Sequence, residues 1–381
     1  MRILIVTDVP RQWEAGTSAV LLNHARELRN LGHEVDCWFG DDVLSKSIRP
    51  QRVKAFIFAV HVARRILQTR DKYDVVDIHA PLGCVYGAWR GFFGRKRTPP
   101  YVFTMQGILE RHAHIMRREH SKGRAWHFGW KNRLWFRLYH QTMYDWAIKT
   151  ADYGAASNRE AWTYPELKLD CEPGRLWYVP NGVEERFFTH RDFRNKGTVR
   201  LLYVGTWLDR KGVYYLAEAL QFLTQRRSNI ELTVAGCLCA EAEVKRFFAP
   251  EIRSRVHVIP FVKRGDIVGV YADHDIFVFP SLMEGMPLAL LEAMATAMPV
   301  VTAETCGMAD IVEDDYNGLV VPPADTAKLV EATERLCKSP ELRERLGQEA
   351  QLTMRRYTWA RVTQKLEMIL SLAAKRGLMR L

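Results

Sequence analysis

The feature that most constrains this chain is a short apolar run, hydrophobic on both faces, that recurs along its length and is each time followed by a helical pattern. "RILIVTD" opens the series, the turn "LGHEV" leads into a second run, and "YDVVDIHA" (Tyr73 to Ala80), "PYVFTMQG" (Pro100 to Gly107) and "ADYGAAS" (Ala151 to Ser157) continue it. A run apolar on both faces must be covered on both, which is the situation of a central strand in a parallel sheet flanked by helices. A polar, charged stretch, "THRDFRNKGTV" (Thr189 to Val199), interrupts the pattern. The alternation then resumes with "VRLLYVG" (Val199 to Gly205), "IELTVAG" (Ile230 to Gly236), "RVHVIPF" (Arg255 to Phe261), "DIFVFPS" (Asp275 to Ser281) and "MPVVTA" (Met298 to Ala303). A chain of 381 residues exceeds one ordinary core, and two domains suit the usual size of roughly 100–200 residues each. The expected fold class is therefore α/β, with two doubly wound Rossmann-like domains. Their expected extents are residues 1–180 and 199–358, with a hinge or linker over 181–198. A last helical segment, residues 359–381, lies beyond the second domain and is expected to pack back on the first.

Composition narrows the class. A hydrophobic share of 48% and a charged share of 26% are those of a globular protein. No apolar run approaches the roughly 18 residues of a spanning helix. The start "MRILIVTDVP" meets Asp8 and Pro10 too soon for a signal peptide, so a cytoplasmic chain is expected. Seven scattered cysteines, with one C-x-C and no C-x-x-C pair, read as reduced thiols with no metal site. The net charge of +11 calls for an anionic partner, and the excess is local: nine lysines and arginines against two acids lie between Arg111 and Thr150. The loop "TDVPRQWEAGTSA" carries one glycine, Gly16, and neither a G-x-G-x-x-G nor a Walker A pattern occurs, which disfavours a dehydrogenase or P-loop ATPase.

One stretch, "SLMEGMPLALLEAM" (Ser281 to Met294), sets two carboxylates, Glu284 and Glu292, in an apolar run. Pro287 suits the first turn of a helix, which leaves Glu284 in the loop before it, at the carboxyl end of "DIFVFPS". Ligands of open α/β sheets bind there. The amides of Gly285, Met286, Leu288 and Ala289, with the positive end of the helix dipole behind them, would form an anion cradle. Carboxylates beside such a cradle repel a bare polyphosphate but accept hydrogen bonds from hydroxyls. A ligand with diols on either side of a diphosphate, a nucleotide sugar, satisfies all three features. The plain alternative is an amphipathic helix whose Glu292 is solvated and whose Glu284 neutralises the dipole.

In its motifs the chain resembles the retaining glycosyltransferases of the GT-B fold, of the family-4 type with an E-x7-E motif. Glu284 and Glu292 stand at that spacing, "VGTWLDRKG" (Val204 to Gly212) looks like the family's phosphate-binding segment, "VPNGV" (Val179 to Val183) like its hinge, and "NGLVVPP" (Asn317 to Pro323) like its late element. "GHEV", "DVVDIHAP" and "TMQG" fall where the first domain has corresponding pieces. The resemblance implies a retaining transfer of a hexose from a nucleotide sugar to a hydroxyl acceptor, in polysaccharide, lipopolysaccharide or glycolipid assembly. It implies no cofactor beyond that co-substrate. The second domain would bind the donor, and the first would face the acceptor. By the same resemblance Glu284, Lys211 and Arg210 are the expected catalytic residues. Donor contacts are expected from Gly16, Gln106, Gly205, Thr206, Arg210, Lys211, Glu284, Gly285, Met286, Pro287, Leu288 and Glu292. Three positions depart from the family pattern: Thr206 stands where Arg is usual, Gln106 where His is usual, and Ala15–Gly16 where a glycine pair is usual. A glutamine can donate a hydrogen bond but cannot carry a proton. Two other readings remain open, a non-catalytic nucleotide-sugar-binding protein of the same fold and a nucleotide-sugar epimerase.

The basic segment from Gly107 to His140 interleaves its cations with Trp126, Trp130, Trp135, Phe136 and Tyr139. It reads as a peripheral site on an anionic membrane's inner face or for a lipid-linked acceptor, or else as an exposed basic helix with its aromatics in the core. A nucleic-acid surface is disfavoured because no recognised module accompanies it. The histidines His112, His114, His120 and His127 are expected at the surface.

Overall fold

The computed structural model describes residues 1–12, 16–43, 51–79, 82–94, 98–124, 134, 141–193 and 197–378. The chain forms two compact units. One comprises Met1–Ala113, Gly129–Asn181 and Trp359–Leu381, the other His114–Phe128 and Gly182–Thr358.

The first unit is built on a six-stranded sheet of order β2-β1-β3-β4-β5-β6, with every neighbouring pair parallel. Its strands are β1 Arg2–Val6, β2 Glu34–Trp38, β3 Val75–His79, β4 Tyr101–Met105, β5 Tyr153–Ala156 and β6 Leu176–Tyr178. Alternate residues serve opposite faces, which is why these runs are apolar throughout. Ile3, Ile5, Val75 and Val102 meet Leu21, Ala25 and Leu28 of the helix Gly16–Asn30, together with Leu366, Ile369 and Leu370 of the C-terminal helix Trp359–Leu378. Leu4, Val6, Val76, Ile78 and Phe103 meet Phe58, Val62, Ile66 and Tyr86 on the other face. Each fully buried side chain of this kind contributes roughly 1.5–3 kcal/mol, so the C-terminal helix is held by its apolar stripe as expected. Its first turn is also keyed by His24 Nδ1, 2.9 Å from Thr363 Oγ1, and by an edge contact between His24 and Trp359. A buried ion pair, Arg90 Nη1 to Asp152 Oδ2 at 2.6 Å, ties the helix before β4 to the start of β5, and the same carboxylate accepts the Tyr101 amide.

The second unit repeats the design with β7 Val199–Val204, β8 Ile230–Ala235, β9 Val256–Ile259, β10 Ile276–Phe279, β11 Val300–Ala303 and β12 Leu319–Val321, in the order β12-β11-β10-β7-β8-β9. Counted from β7 this is the Rossmann order 3-2-1-4-5-6. The chain runs outward from β7 through β8 to β9, then returns to β10 on the other side of β7. The switch point lies between β7 and β10, whose parallel pairing places Ile276 opposite Leu201.

Some particulars differ from the sequence reading. β6 and β12 were not among the expected strands: each has three residues and is an edge strand, with a neighbour on one side only. The described residues of His114–Phe128 belong to the second unit's cluster, where buried Glu119 accepts from Tyr215 Oη at 2.9 Å and Lys122 Nζ donates to the same hydroxyl at 2.8 Å. The polar stretch after Phe188 contains an anchor, since buried Arg191 donates to the carbonyls of Tyr271, His274 and Thr296. Of the basic segment, residues 125–133 and 135–140 lie outside the described residues, which includes His127 and all five of its named aromatics. The side chain of His112 does too; His114 is exposed and His120 half-buried. Among the described residues no helix is long and apolar enough to cross a membrane.

Candidate active site

The loops that leave β7 and β10 at their carboxyl ends flank the switch point of the second sheet, and most of the expected site residues lie on them. After β7 the chain turns through Gly205 and Thr206 into a short 3-10 turn, Asp209–Lys211, and then into the helix Val213–Arg226. Two glycines in this passage are required by geometry. Gly212 joins turn to helix at φ +73, and a Cβ there would sit 2.0 Å from the Pro280 carbonyl oxygen. Gly205, at φ +144, lets Lys211 fold back over it, because a Cβ would stand 3.2 Å from Lys211 Nζ. The β7 loop is stitched to the β10 loop by the Leu282 amide, which donates to the Arg210 carbonyl at 2.8 Å.

Glu284 is the convergence point. Its Oε1 lies 3.0 Å from Lys211 Nζ, accepts from Arg210 Nη1 at 3.3 Å, and accepts from Ser281 Oγ at 3.0 Å. All three contacts fall on Oε1, which leaves Oε2 without a hydrogen-bond partner among the described residues. Glu284 and Lys211 are nearly buried, with side chains 11% and 12% exposed. Burial alone would push the Glu284 carboxyl up, but the Lys211 and Arg210 charges outweigh it and hold the group below its usual value. Two cations facing one carboxylate leave a net positive charge, suited to an incoming anion. Arg210 Nη1 also donates to the Met283 carbonyl at 3.2 Å, which fixes the loop just ahead of Glu284.

The helix that follows runs Leu288–Ala295, one residue later than expected. Pro287 has ψ 120, so it is the N-cap rather than the first helical residue, and its carbonyl accepts from the Leu290 and Leu291 amides. The amides of Leu288 and Ala289 precede any intrahelical carbonyl and head the helix dipole. Glu292, three residues before the helix ends, is half-buried, and its Oε2 accepts from Tyr271 Oη at 2.9 Å. Burial pushes its carboxyl up to about 7, against the Tyr271 hydrogen bond and the Arg186 charge, with Glu184 adding to the rise. Arg186 and Arg264 both pair with Glu184.

The structure thus brings Arg210, Lys211, Glu284 and the start of the Glu292 helix together in the second unit. Gly16 and Gln106 lie in the first. Gly16 opens the helix after β1, where a Cβ would meet nothing within 4 Å, so nothing in this unit demands glycine. Gln106 is half-buried just beyond β4. The Thr206 carbonyl accepts from Tyr203 Oη at 3.0 Å, and the cations of this loop are Arg210 and Lys211. Sequence reasoning missed Ser281, although it stands at the end of the "DIFVFPS" strand three residues before Glu284. It also missed Tyr271, Arg186 and Arg264, which no local pattern connects to Glu292.

Residues 186–353 match the family of glycosyl transferases group 1. The chain is similar to an alpha-D-kanosaminyltransferase of Streptomyces kanamyceticus, 34% identical over 151 residues, which are 39% of this chain and 39% of that protein. It is also similar to the UDP-Gal:alpha-D-GlcNAc-diphosphoundecaprenol alpha-1,3-galactosyltransferase of Escherichia coli, 26% identical over 44% of this chain and 47% of that one. The chain therefore spans less than half the length of either relative. Among solved structures, a sucrose-phosphate synthase of Thermosynechococcus elongatus matches with a TM-score of 0.77 at 17% identity, covering 100% of this chain and 99% of that one. That likeness shows the fold, the GT-B fold with two parallel-sheet Rossmann-like domains.

Proposed function

From a group 1 glycosyl transferase segment that holds the whole Arg210–Lys211–Glu284 cluster, we propose that this protein transfers a hexose from a nucleoside diphosphate sugar to a hydroxyl acceptor with retention of configuration. The observation that carries the reading is Glu284 between Lys211 and Arg210 at the switch point of the second sheet. The two cations stabilise the charge that builds on the departing diphosphate, which is where fixed charges lower a barrier most. Glu284 uses Oε1 to hold them and presents Oε2 to hexose hydroxyls. Glu292 accepts from the ribose diol, and the amides of Gly285, Met286 and Leu288, on either side of Pro287, line the phosphates with Gly205 and Thr206. In the front-face course of retaining transfer the leaving phosphate oxygen takes the acceptor proton, the acceptor oxygen bonds to the anomeric carbon, and the glycosidic electron pair leaves with the diphosphate. No protein nucleophile or second carboxylate is then needed. The Escherichia coli relative's name specifies a UDP-sugar and a diphosphoundecaprenol-linked saccharide, which supports a lipid-linked acceptor in polysaccharide or lipopolysaccharide assembly.

The test begins with a thermal-shift panel of UDP-glucose, UDP-galactose, GDP-mannose and ADP-glucose, because a bound ligand raises stability with the logarithm of its concentration over Kd. Nucleoside diphosphate release from the best donor is then measured in wild type and Glu284→Ala. Near-normal release by the variant would sink the assignment. Gln106 favours one second reading, a nucleotide-sugar-binding protein without turnover; donor binding with no release under any acceptor would establish it.

A further inference from the structure

Three carbonyls around Glu284 are tied down, and two of the groups that tie them belong to a loop to which no donor contact is assigned. Leu282 O accepts from Thr305 Oγ1 at 3.3 Å, Met283 O from Arg210 Nη1 at 3.2 Å, and Gly285 O from the Gly307 amide at 3.0 Å. Thr305 and Gly307 follow β11 in the second unit, and both are buried. Gly307 stands in the first turn of the short helix Cys306–Ile311, where amides have no carbonyl partner within the helix, and it gives its own to Gly285. The fit is close: a Cβ on Gly307 would stand 2.0 Å from the Gly285 oxygen and 3.0 Å from Met286 Cα. Between Thr305 and Gly307, Cys306 takes φ +46, a region that side chains rarely enter and that persists where the surroundings over-determine it.

The direction of these bonds matters because a peptide unit is planar and trans, so its C=O and its N–H point opposite ways. The Gly285 carbonyl shares a peptide unit with the Met286 amide. Held toward the β11 loop, it turns the Met286 N–H away from that loop. Since β10 lies between β11 and β7, the side away from β11 is the side of β7, whose loop carries Arg210 and Lys211. Leu282 is pinned in the same manner, its amide to the Arg210 carbonyl at 2.8 Å and its carbonyl to Thr305. A loop that holds an anion by its amides must keep its carbonyl oxygens turned aside, and here they are. Met286 is two residues from Glu284 and six from Glu292. With the hexose at the first and the ribose at the second, the phosphate nearest its amide is the outer one, which carries the hexose. We propose that Thr305 and Gly307 are positioning residues that fix the Leu282–Met286 backbone so that the Met286 amide donates to the outer phosphate of the donor. Both act through Leu282 and Gly285 rather than by touching the ligand. The proposal rests on the donor reading of this site.

The test is calorimetric binding of a nucleoside diphosphate, UDP, GDP or ADP as the donor panel selects, and of the matching monophosphate. The monophosphate keeps the base, the ribose and the inner phosphate and lacks the outer one. A general loosening of the second unit weakens both ligands alike, whereas loss of the outer-phosphate contact weakens the diphosphate alone. Gly307→Ala pushes the Gly285–Met286 peptide aside. The expected result is a diphosphate Kd about 10- to 100-fold higher, the scale of one hydrogen bond to a charged group, with the monophosphate Kd within twofold of wild type. Thr305→Val removes the hydroxyl and keeps the shape; it shows the same split at several-fold, and Thr305→Ser restores the wild-type affinities. The proposal is overturned if Gly307→Ala binds the diphosphate within twofold of wild type or weakens the two ligands equally. Where Gly307→Ala does not fold, either of those results with Thr305→Val overturns it. The two failures are distinct: if wild type binds the diphosphate and the variants bind it as well, only the assignment of Thr305 and Gly307 falls, and if wild type binds none of the diphosphates, the donor reading falls and the proposal with it.

Discussion

Replacing Glu292 by glutamine should make the free protein more stable and a worse binder, and the size of the first effect follows from the environment of the carboxyl. Glu292 is held by Tyr271 Oη and faces Arg186, Arg264 and Glu184, and burial dominates, taking its carboxyl from 4.5 to about 7. The folded state thus holds a proton that the unfolded chain has already lost. Stability linked to that proton is fully present below pH 4.5 and is lost as pH rises through about 7. At 1.36 kcal/mol per pH unit the loss comes to about 3 kcal/mol above pH 7. A glutamine keeps an acceptor for Tyr271 without a charge to bury. Glu292→Gln should therefore exceed wild type by up to about 3 kcal/mol at pH 8, with the difference shrinking toward zero by pH 4. For a cooperative unit of roughly 200 residues that is a rise in Tm of about 5–10 °C. Thermal melts of both proteins without ligand, at half-unit steps from pH 4 to 8, isolate this group because every other titration is shared. A variant no more stable than wild type at pH 8 would refute the reasoning, since Arg186 and Arg264 would then outweigh burial. The gain should come with donor binding about tenfold weaker, because an anionic acceptor holds hydroxyls about twice as strongly as a neutral one.

The other substitutions probe single contacts. Lys211→Ala removes a charge-assisted contact worth about 1.5–3 kcal/mol, so calorimetry should find the nucleoside diphosphate bound about 10- to 100-fold more weakly, and an unchanged Kd would remove Lys211 from the phosphate site. Gly212→Ala forces a side chain into φ +73 and against the Pro280 carbonyl. It should cost at least about 2 kcal/mol in urea unfolding, and a neutral result would show that the turn relaxes freely. Arg90→Met takes the guanidinium away from the buried Asp152 carboxylate, for which a loss of about 3–5 kcal/mol is expected; less than 1 kcal/mol would mean that water reaches the site.

The parts of this molecule that could be read from its sequence are those in which one local rule settles the outcome. Runs such as "VRLLYV" and "IFVF" are apolar at every position because both faces of β7 and β10 are covered, so their strands and the doubly wound class were legible without contacts. The three-residue edge strands β6 and β12 were not, because an edge strand needs only one neighbour and leaves a weaker pattern. Pro287 was misplaced by one residue because proline suits both the position before a helix and its first turn, and only its ψ of 120 separates them. In the site, the carboxylates stood out because charge in an apolar run is expensive, and the cations of "DRKG" through the family resemblance of their segment. What they touch could not be read. Ser281 donates to Glu284 across a turn of three residues, but Tyr271 reaches Glu292 from a separate helix 21 residues away, and no spacing rule links them.

The same logic explains why "DVVDIHAP" was quoted for its likeness and then given no task. In one dimension Asp77 and His79 are two polar residues in a run otherwise apolar on both faces. The fold covers both faces of β3, which makes them a buried carboxylate with an imidazole for its partner. A polar residue therefore gains functional weight only once its strand is placed within the sheet. That placement depends on the order β1-β3-β4, which is a property of the whole first unit.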